Sequence, residues 1–393
     1  MPTSSGPRIL PLVFAVTLTG IMGNSLVSPL LPDILDAFGK PASAAGPLVA
    51  AASLPGIFLA PIIGFAADRW GRRPILTGCL VIFGAGGVLT SLAPTYTLLV
   101  ITRLLLGTGS AGLINLGVVL IGDHFDGEER TKWIGRNAAT LTIGLAIIPL
   151  SSGIIGELAG WRIATLGYSL GFLSAAYAWR CLQGEPERTP TPLRDQMSGV
   201  GNALRVPVIV TSVVVGTLAF ATIFGVFLTA MPDHLETRFS LSSGWRGLMI
   251  SVPALSSALV GFNLGAIRRR INVKWALSLS AGFWVLGMML IGSAGVIGVL
   301  ILGTLCYGFG EGALIPNLQE VAVAAAPPQH RGAVVATWVG FARLGQTIGP
   351  LLAAVLLANS GAPSVFYAGA VASAVAVLLF VFGPIGRTPP AQR

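Results

Sequence analysis

The fold of this chain is decided by one stretch, Gly64-Phe65-Ala66-Ala67-Asp68-Arg69-Trp70-Gly71-Arg72-Arg73-Pro74. Charge clusters here between an apolar helix predicted over 46–67 and another predicted over 75–92. Short loops rich in arginine and lysine remain on the cytoplasmic side of a membrane. This turn therefore predicts the direction in which every later helix crosses.

The composition excludes an ordinary soluble protein. Of the 393 residues, 53% are hydrophobic and only 10% are charged, which is too little charge for the surface of a soluble protein of this size. The net charge of +9 could suggest nucleic-acid binding, but the basic residues stand in short loops between apolar segments, so we expect no nucleic-acid partner. The three scattered cysteines indicate neither disulfides nor metal ligands, and we expect no cofactor.

A transmembrane helix needs about 20 mostly apolar residues. By this measure the sequence predicts twelve helices, over 9–31, 46–67, 75–92, 97–122, 133–156, 162–182, 206–231, 246–267, 275–294, 296–325, 333–357 and 364–384. If both termini are cytoplasmic, 18 of the 24 basic residues fall on the cytoplasmic side and four on the outer side. This asymmetry supports the orientation, because cytoplasmic loops carry the excess of arginine and lysine.

A linker and an internal repeat divide the chain into two halves. The segment 185–205 is rich in proline and charge, which predicts a cytoplasmic linker between six-helix bundles at 1–184 and 206–393. Four features of the first half recur 201 positions later: Gly107-x-Gly109 as Gly308-x-Gly310, Arg130 as Arg331, Gly144 as Gly345, and Pro149 as Pro350. Parallel six-helix repeats predict a substrate site between them, near the middle of the membrane.

The spacing G-x-x-x-D-R-x-G-R-R-P in the opening stretch resembles the loop signature between helices 2 and 3 of the major facilitator superfamily. The resemblance implies an all-α membrane protein with twelve transmembrane helices in two pseudo-symmetric bundles. It also implies that Asp68 lies near the start of the 333–357 helix and helps to close the cytoplasmic side. The implied gating residues are Gly64, Asp68, Arg69, Gly71, Arg72 and Arg73. The alternative is a solvated carboxylate paired with Arg69 or Arg72.

The fourth predicted helix contains Arg103 followed by Gly107-x-Gly109-x-x-Gly112. These glycines formally match a dinucleotide-binding motif, with Asp123 and Asp126 further on, but that motif needs a soluble βαβ unit. Because the run continues apolar, the glycines are better explained by close helix contact. The segment resembles the family pattern in which an arginine before a glycine pair faces the central cavity.

The fifth predicted helix resembles the glycine-rich signature of proton-driven antiporters only in part. It keeps Gly135, Gly144, Pro149 and Gly153, but it has Ile148 and Ser152 where that signature has glycine. This departure leaves antiport, symport and uniport open.

Ionisable residues inside a membrane usually face a water-filled path or a partner. The candidates for proton coupling are Glu311, which we expect to be the principal proton carrier, with Arg103, Arg343 and Asp33. A structural Glu311–Arg343 ion pair is the alternative, since buried pairs are energetically close to neutral. We expect an apolar substrate cavity with few polar anchors, contributed by Asn24, Asn115, Asn137, Phe220, Phe224, Asn263, Trp338 and Gln346.

The resemblance implies a function in transport rather than an enzyme. The expected function is proton-coupled export of small amphipathic drugs or metabolites by alternating access, similar to the multidrug efflux group. The expected location is the plasma membrane, or inner membrane, as a monomer whose partners are the substrate, protons and the lipid bilayer. One alternative is an exporter or symporter of organic anions, because two arginines against one glutamate leave the cavity net positive. Another is a non-transporting receptor or lipid-handling protein, since fold alone does not fix function.

Overall fold

The computed structural model of the protein describes residues 6–182, 205–326 and 331–385. All regular structure within these ranges is helical. The linker predicted over 185–205 lies outside them, apart from Arg205.

The helices of the first half are separated by short turns. They are α1 (Gly6–Ser25), α2 (Leu31–Ala37), α3 (Ala45–Trp70), α4 (Arg72–Leu92), α5 (Tyr96–Ser110), α6 (Leu113–His124), α7 (Gly127–Ala159), α8 (Trp161–Thr165) and α9 (Leu170–Cys181). Short 3₁₀ segments stand at Ser28–Leu30, Ala42–Ala44 and Leu166–Ser169.

The helices of the second half are longer and include one unusual segment. They are α10 (Pro207–Ala221), α11 (Met231–Phe239), α12 (Ser243–Arg270), α13 (Val273–Ser293), α14 (Ile297–Ala324) and α15 (Arg331–Phe382). A π-helix over Thr222–Ala230 connects α10 to α11.

Local chemistry explains where several helices begin and end. Gly71 separates α3 from α4 with φ of 90°, a conformation that glycine adopts without strain. The Thr95 side chain caps the start of α5 by accepting a hydrogen bond of 3.3 Å from the backbone N–H of Leu98. The Asn272 side chain does the same for α13 through the N–H of Lys274, at 3.1 Å.

The first predicted helix, 9–31, is interrupted over its last residues, 26–31. The whole stretch Ile9–Ala37 is still long and apolar enough to cross a membrane. α1 ends at Ser25, and the chain continues through a 3₁₀ turn into α2. Proline explains the break, because Pro29 and Pro32 have no N–H to donate to the preceding turn.

Within the described residues, ten helical stretches are long and apolar enough to cross a membrane. They differ from the twelve predicted helices at two places. The segment from Trp161 to Cys181 consists of three short helical pieces, and the predicted helices 333–357 and 364–384 fall on the single stretch Val334–Phe382. That stretch contains Gly361 in a non-helical conformation with φ of 73°, which breaks the helical path near its middle.

The chain divides into two compact units. Unit 1 comprises Met1–Thr191 with Leu241–Leu248, and unit 2 comprises Pro192–Ser240 with Met249–Arg393. The first residues of α12 therefore belong to unit 1, while the rest of this helix belongs to unit 2.

Glycines allow the helices of unit 1 to approach closely. A side chain on Gly107 would collide with the backbone of Ala52 in α3, and one on Gly109 would collide with the backbone of Phe83 in α4. Small residues at such contacts are typical of membrane helix packing. The glycines of the fourth predicted helix thus serve helix contact.

The corresponding glycines of unit 2 make corresponding contacts. A side chain on Gly308 would collide with the backbone of Pro253 in α12, and one on Gly310 would collide with the backbone of Ser280 in α13. Likewise, Gly345 of α15 meets the backbone of Thr217 in α10.

Candidate functional site

The arginine-rich turn of unit 1 forms a charge cluster around Arg72. One guanidinium nitrogen of Arg72 lies 2.6 Å from a carboxylate oxygen of Asp68, and its Nε lies 3.3 Å from a carboxylate oxygen of Asp123. Arg72 is buried, whereas Asp68 is partly exposed. The pairing of Asp68 with Arg72 is the alternative that the sequence left open, and it joins the end of α3 to the start of α4. The second pair, between Arg72 and Asp123, joins the start of α4 to the end of α6.

Asp123 is a member of this cluster that sequence reasoning did not assign. The sequence indicates it only as the acidic residue that would follow a nucleotide-binding motif. Its position directly after the fourth predicted helix, 97–122, is the signal that could have identified it.

The other predicted gating residues differ from Asp68 and Arg72 in their contacts. The Arg73 guanidinium lies 3.8 Å from the centre of the Trp179 ring, and its Nε donates to the carbonyl oxygen of Trp179 at 2.9 Å. Arg69 is exposed, and a side chain on Gly64 would meet no atom within 4 Å in the described structure. The predicted contact of Asp68 with the start of the 333–357 helix involves side chains outside the described ones, so it stays a prediction.

Arg103 is the centre of a buried polar network in unit 1. Its side chain is 0% exposed, which excludes a lipid-facing position. Its Nη2 donates to the side-chain oxygen of Asn24 at 2.6 Å, its Nη1 to the hydroxyl of Tyr168 at 2.8 Å, and its Nε to the carbonyl of Leu48 at 3.4 Å. The Asn24 amide in turn donates to the Ser53 hydroxyl at 3.1 Å. Asn24 is predicted as a cavity residue, but both its side-chain oxygen and its side-chain nitrogen already have hydrogen-bond partners.

Asp33 has an ion-pair partner within unit 1. Its carboxylate pairs with Arg246, whose Nε also donates to the carbonyl of Pro29 at 2.9 Å. Arg246 is 1% exposed, whereas the Asp33 side chain is 40% exposed. This arrangement makes Asp33 a partner of a buried arginine at the start of α12, which the sequence did not indicate.

Glu157 binds the same first turn of α12. Its carboxylate accepts hydrogen bonds from the Ser242 hydroxyl at 2.9 Å and from the backbone N–H of Gly244 at 3.1 Å. An acid at a helix N-terminus is stabilised because the backbone N–H groups there have no intrahelical acceptor.

Two further predicted cavity residues lie in unit 1. The Asn137 side chain is buried and accepts a hydrogen bond of 2.8 Å from the Thr17 hydroxyl. Asn115 is partly exposed, near the break between α5 and α6.

Glu311 stands in the middle of α14 in unit 2, between two glycines that press against neighbouring helices. Within the described residues, it has neither a hydrogen-bond nor an ion-pair partner. The structural Glu311–Arg343 ion pair is therefore not formed here. Arg343 instead donates to the side-chain oxygen of Gln346 at 3.1 Å, among its other interactions.

The aromatic residues of unit 2 separate into two groups. Phe220 meets the ring of Trp338 edge-on at 5.6 Å and that of Phe224 at 6.4 Å. Phe227 stacks on Tyr307 at 4.6 Å with an angle of 5°. The π-helix over Thr222–Ala230 changes the helical spacing here, and Phe227 packs against a different ring from Phe220 and Phe224.

Two more polar residues of unit 2, Asn263 and Asn317, have hydrogen-bond partners. Asn263 is exposed and its amide donates to the carbonyl of Leu259, one turn earlier, at 2.8 Å. Asn317 is buried and accepts a hydrogen bond from Arg268, which also forms an ion pair with Glu320 at 2.9 Å.

A small cavity in unit 2 lies among α10, α13, α14 and α15. Its volume of about 10 Å³ is enough for about one water molecule and far too small for an organic substrate. Its lining includes Thr222, Trp284 and Ser373, and none of the predicted cavity residues.

Membrane-length apolar helices that carry buried charged side chains indicate a multi-pass membrane protein. The family model of the Major Facilitator Superfamily matches residues 13–246 and 213–393. The chain therefore belongs to this superfamily and is a transporter. The family resemblance seen in the sequence is confirmed, and the matched proteins are transporters rather than enzymes.

Characterised relatives cover most of the chain. The class B tetracycline resistance protein of Escherichia coli is 27% identical over 365 residues, which is 89% of this chain and 88% of that protein. The bacillibactin exporter of Bacillus subtilis (strain 168) is 23% identical over 390 residues, 94% of each chain.

Solved structures share the fold. The human organic anion transporter MFSD10 (TETRAN) matches with a TM-score of 0.72 and 21% identity, over 96% of this chain and all (100%) of that one. A bacterial homologue of the human lysosomal transporter Spinster, in an inward-facing and occupied conformation, matches with a TM-score of 0.78 and 14% identity over 100% of both chains. Likeness at these identities concerns the fold alone.

Proposed function

We propose that this protein is a proton-coupled secondary transporter that exports small amphipathic organic molecules by alternating access. In this proposal it crosses the plasma membrane, or inner membrane, twelve times, with both termini cytoplasmic, and acts as a monomer. Two relatives support export, since their names are those of a tetracycline resistance protein and a bacillibactin exporter.

The proposal of proton coupling depends on Glu311, which has no hydrogen-bond or ion-pair partner within the described residues. An acid within a membrane helix is expensive and usually functional. Of the candidate groups, Asp33 is paired with Arg246, and Arg103 is enclosed by three acceptors. Glu311 has no such partner within the described residues, so its carboxylate is the group best placed to exchange a proton or to meet a substrate.

The repeat supports two six-helix bundles at 1–184 and 206–393, joined by the linker 185–205. The paired glycines support it, because Gly107 packs against α3 and Gly308 against α12, which correspond to the second predicted helix of each half. Likewise, Gly144 packs against α1 and Gly345 against α10, which correspond to the first predicted helix of each half. Equivalent contacts at an offset of 201 residues fit a duplicated bundle.

Organic anions are the second candidate substrate class, because of the two membrane arginines. The surroundings of Arg103 argue against it as an anion receptor, since its side chain is fully buried against α1, α3 and Tyr168. Arg343 remains the group on which an anion site would depend.

The experiment is transport by the purified protein in proteoliposomes under an imposed pH gradient. Tetracycline, the cation ethidium and an anionic fluorescein derivative are the probes, with and without a protonophore. We expect accumulation of the first two probes, abolished by the protonophore. Accumulation of the anionic probe alone would favour the second candidate, and no gradient-dependent movement of any probe, together with no proton flux on their addition, would favour a receptor or lipid-handling protein.

A further inference from the structure

Tyr168 occupies a central place in unit 1 that the transport proposal does not use. Its side chain is 0% exposed, and its ring packs edge-on against Phe83 at 5.6 Å. Its hydroxyl accepts the hydrogen bond from Arg103 Nη1 at 2.8 Å and donates one to the carbonyl of Gly23 at 3.0 Å. One hydroxyl thus connects the buried cation to the backbone of α1.

The Gly23 carbonyl belongs to the last turn of α1, which ends at Ser25. Carbonyls in the last turn of a helix have no intrahelical donor, so they need another partner. Tyr168 supplies that donor, while the neighbouring Asn24 side chain accepts from Arg103. Arg103 and Tyr168 together therefore hold two consecutive residues immediately before α1 breaks.

Burying the positive charge of Arg103 has an energetic cost. A buried cation loses favourable hydration, and this loss must be offset by well-placed acceptors. In the described structure, these acceptors are a carbonyl, a hydroxyl and an amide oxygen, and none is a carboxylate. Because no opposite charge among the described residues contacts the guanidinium, its position depends on the geometry of these neutral groups.

We infer that Tyr168 is a positioning residue: its hydroxyl fixes the Arg103 guanidinium and the end of α1 as one element. Its contribution to transport rests on the proposed function, in which Arg103 has a role. Its contribution to the order of α1 does not rest on that function, so the hydrogen-exchange measurements and the transport measurement test separate statements.

The first part of the test measures amide hydrogen exchange of the purified full chain. Tyr168→Phe keeps the ring and removes only the hydroxyl, so exchange over residues 20–30 should become about tenfold faster, the expected effect of losing a hydrogen bond to a charged group. Tyr96→Phe is the matched control, because Tyr96 also donates to a backbone carbonyl, that of Ala44, at 2.6 Å. It should accelerate exchange near Ala44 and leave residues 20–30 unchanged.

The second part tests whether Tyr168 acts through Arg103. In a double-mutant cycle, adding Tyr168→Phe to Arg103→Ala should change exchange over residues 20–30 by about threefold, less than its effect on the wild type, because only the bond to the Gly23 carbonyl is then lost. Equal effects of Tyr168→Phe in the two backgrounds would mean that the tyrosine acts independently of Arg103, and this would overturn the inference. Unchanged exchange in the single variant would overturn it as well.

The third part uses tetracycline transport in proteoliposomes. Tyr168→Phe should lower the maximal rate about tenfold with less than a twofold change in KM, while Tyr96→Phe should change neither. A rise in KM alone would indicate a substrate contact and contradict positioning. If the wild-type protein moves no probe, the proposed function fails, whereas the exchange cycle still decides whether Tyr168 orders α1 through Arg103.

Discussion

The carboxylate of Asp68 lies 2.6 Å from the guanidinium of Arg72, across the helix break at Gly71. The same arginine reaches Asp123 at the end of α6. One buried cation thus joins three helix ends at the arginine-rich side of unit 1.

Removing the charge of Asp68 should impair transport. Asp68→Asn keeps the shape but weakens the bond to Arg72, a charge-assisted interaction of about 1.5–3 kcal/mol, so the transport rate should fall about tenfold or more. We also expect a shift toward inward-facing forms, measured as faster labelling of a cysteine introduced into the cytoplasmic half of the cavity. Arg180→Gln is the control, because Arg180 is an exposed arginine at the same end of unit 1. Unchanged labelling in Asp68→Asn would refute a gating role.

Glu311→Gln should separate coupled transport from exchange. The amide cannot carry a proton, so accumulation of substrate against its gradient should be lost, while exchange without a proton gradient should survive within about threefold of the wild-type rate. Both are measured with the same radiolabelled probe in proteoliposomes. A mutant that still concentrates the probe with normal proton dependence would exclude Glu311 as the carrier.

Arg103 should not tolerate replacement by lysine. A lysine keeps the charge, but its ammonium lacks the planar fork that reaches Asn24 and Tyr168 together. We expect Arg103→Lys to lower the transport rate about tenfold, and Arg103→Ala to lower it further. Wild-type turnover of Arg103→Ala in proteoliposomes would remove this residue from the mechanism.

The Asp33–Arg246 pair should contribute to stability rather than to coupling. Asp33→Asn leaves a buried guanidinium with its carboxylate partner removed, which should lower the free energy of unfolding by about 1–3 kcal/mol. Thermal unfolding in detergent measures this loss, and the ratio of protons to substrate should remain unchanged. Loss of proton dependence in Asp33→Asn would instead identify Asp33 as a carrier.

The repeat predicts an exact correspondence of residues between the halves. In an experimental structure, residues 1–184 and 206–393 should superpose with Pro149 on Pro350. The test is the pairing that results when each half is aligned without reference to sequence. Pairing of these prolines with other positions would contradict the internal repeat.

Local features of the fold were predictable from the sequence because they depend on neighbours in the chain. The arginine-rich turn ends one helix at Gly71 and starts the next, as its glycine and arginines predict. The sequence does not predict the break after α1, although Pro29 and Pro32 lie there, because the residues on both sides are apolar enough to form one continuous helix.

The partners of the candidate residues could not be predicted, because they come from distant parts of the chain. Arg246 lies 213 residues from Asp33, and Tyr168 lies 65 residues from Arg103. A tyrosine in an apolar segment gives no sign of which buried group it will meet. The π-helix was equally hidden, since its nine residues have an ordinary apolar composition.

The dependence of Arg103 on Tyr168 has a consequence for biosynthesis. Asn24 and Leu48 precede Arg103 in the chain, but Tyr168 follows it by 65 residues. At a ribosomal speed of about 5–20 residues per second, the hydroxyl is made about 3–13 s after the arginine. For that interval, the nascent helix holds a cation whose set of acceptors is incomplete. The 3₁₀ segment Leu166–Ser169 therefore supplies the last acceptor for a cation that an earlier helix carries.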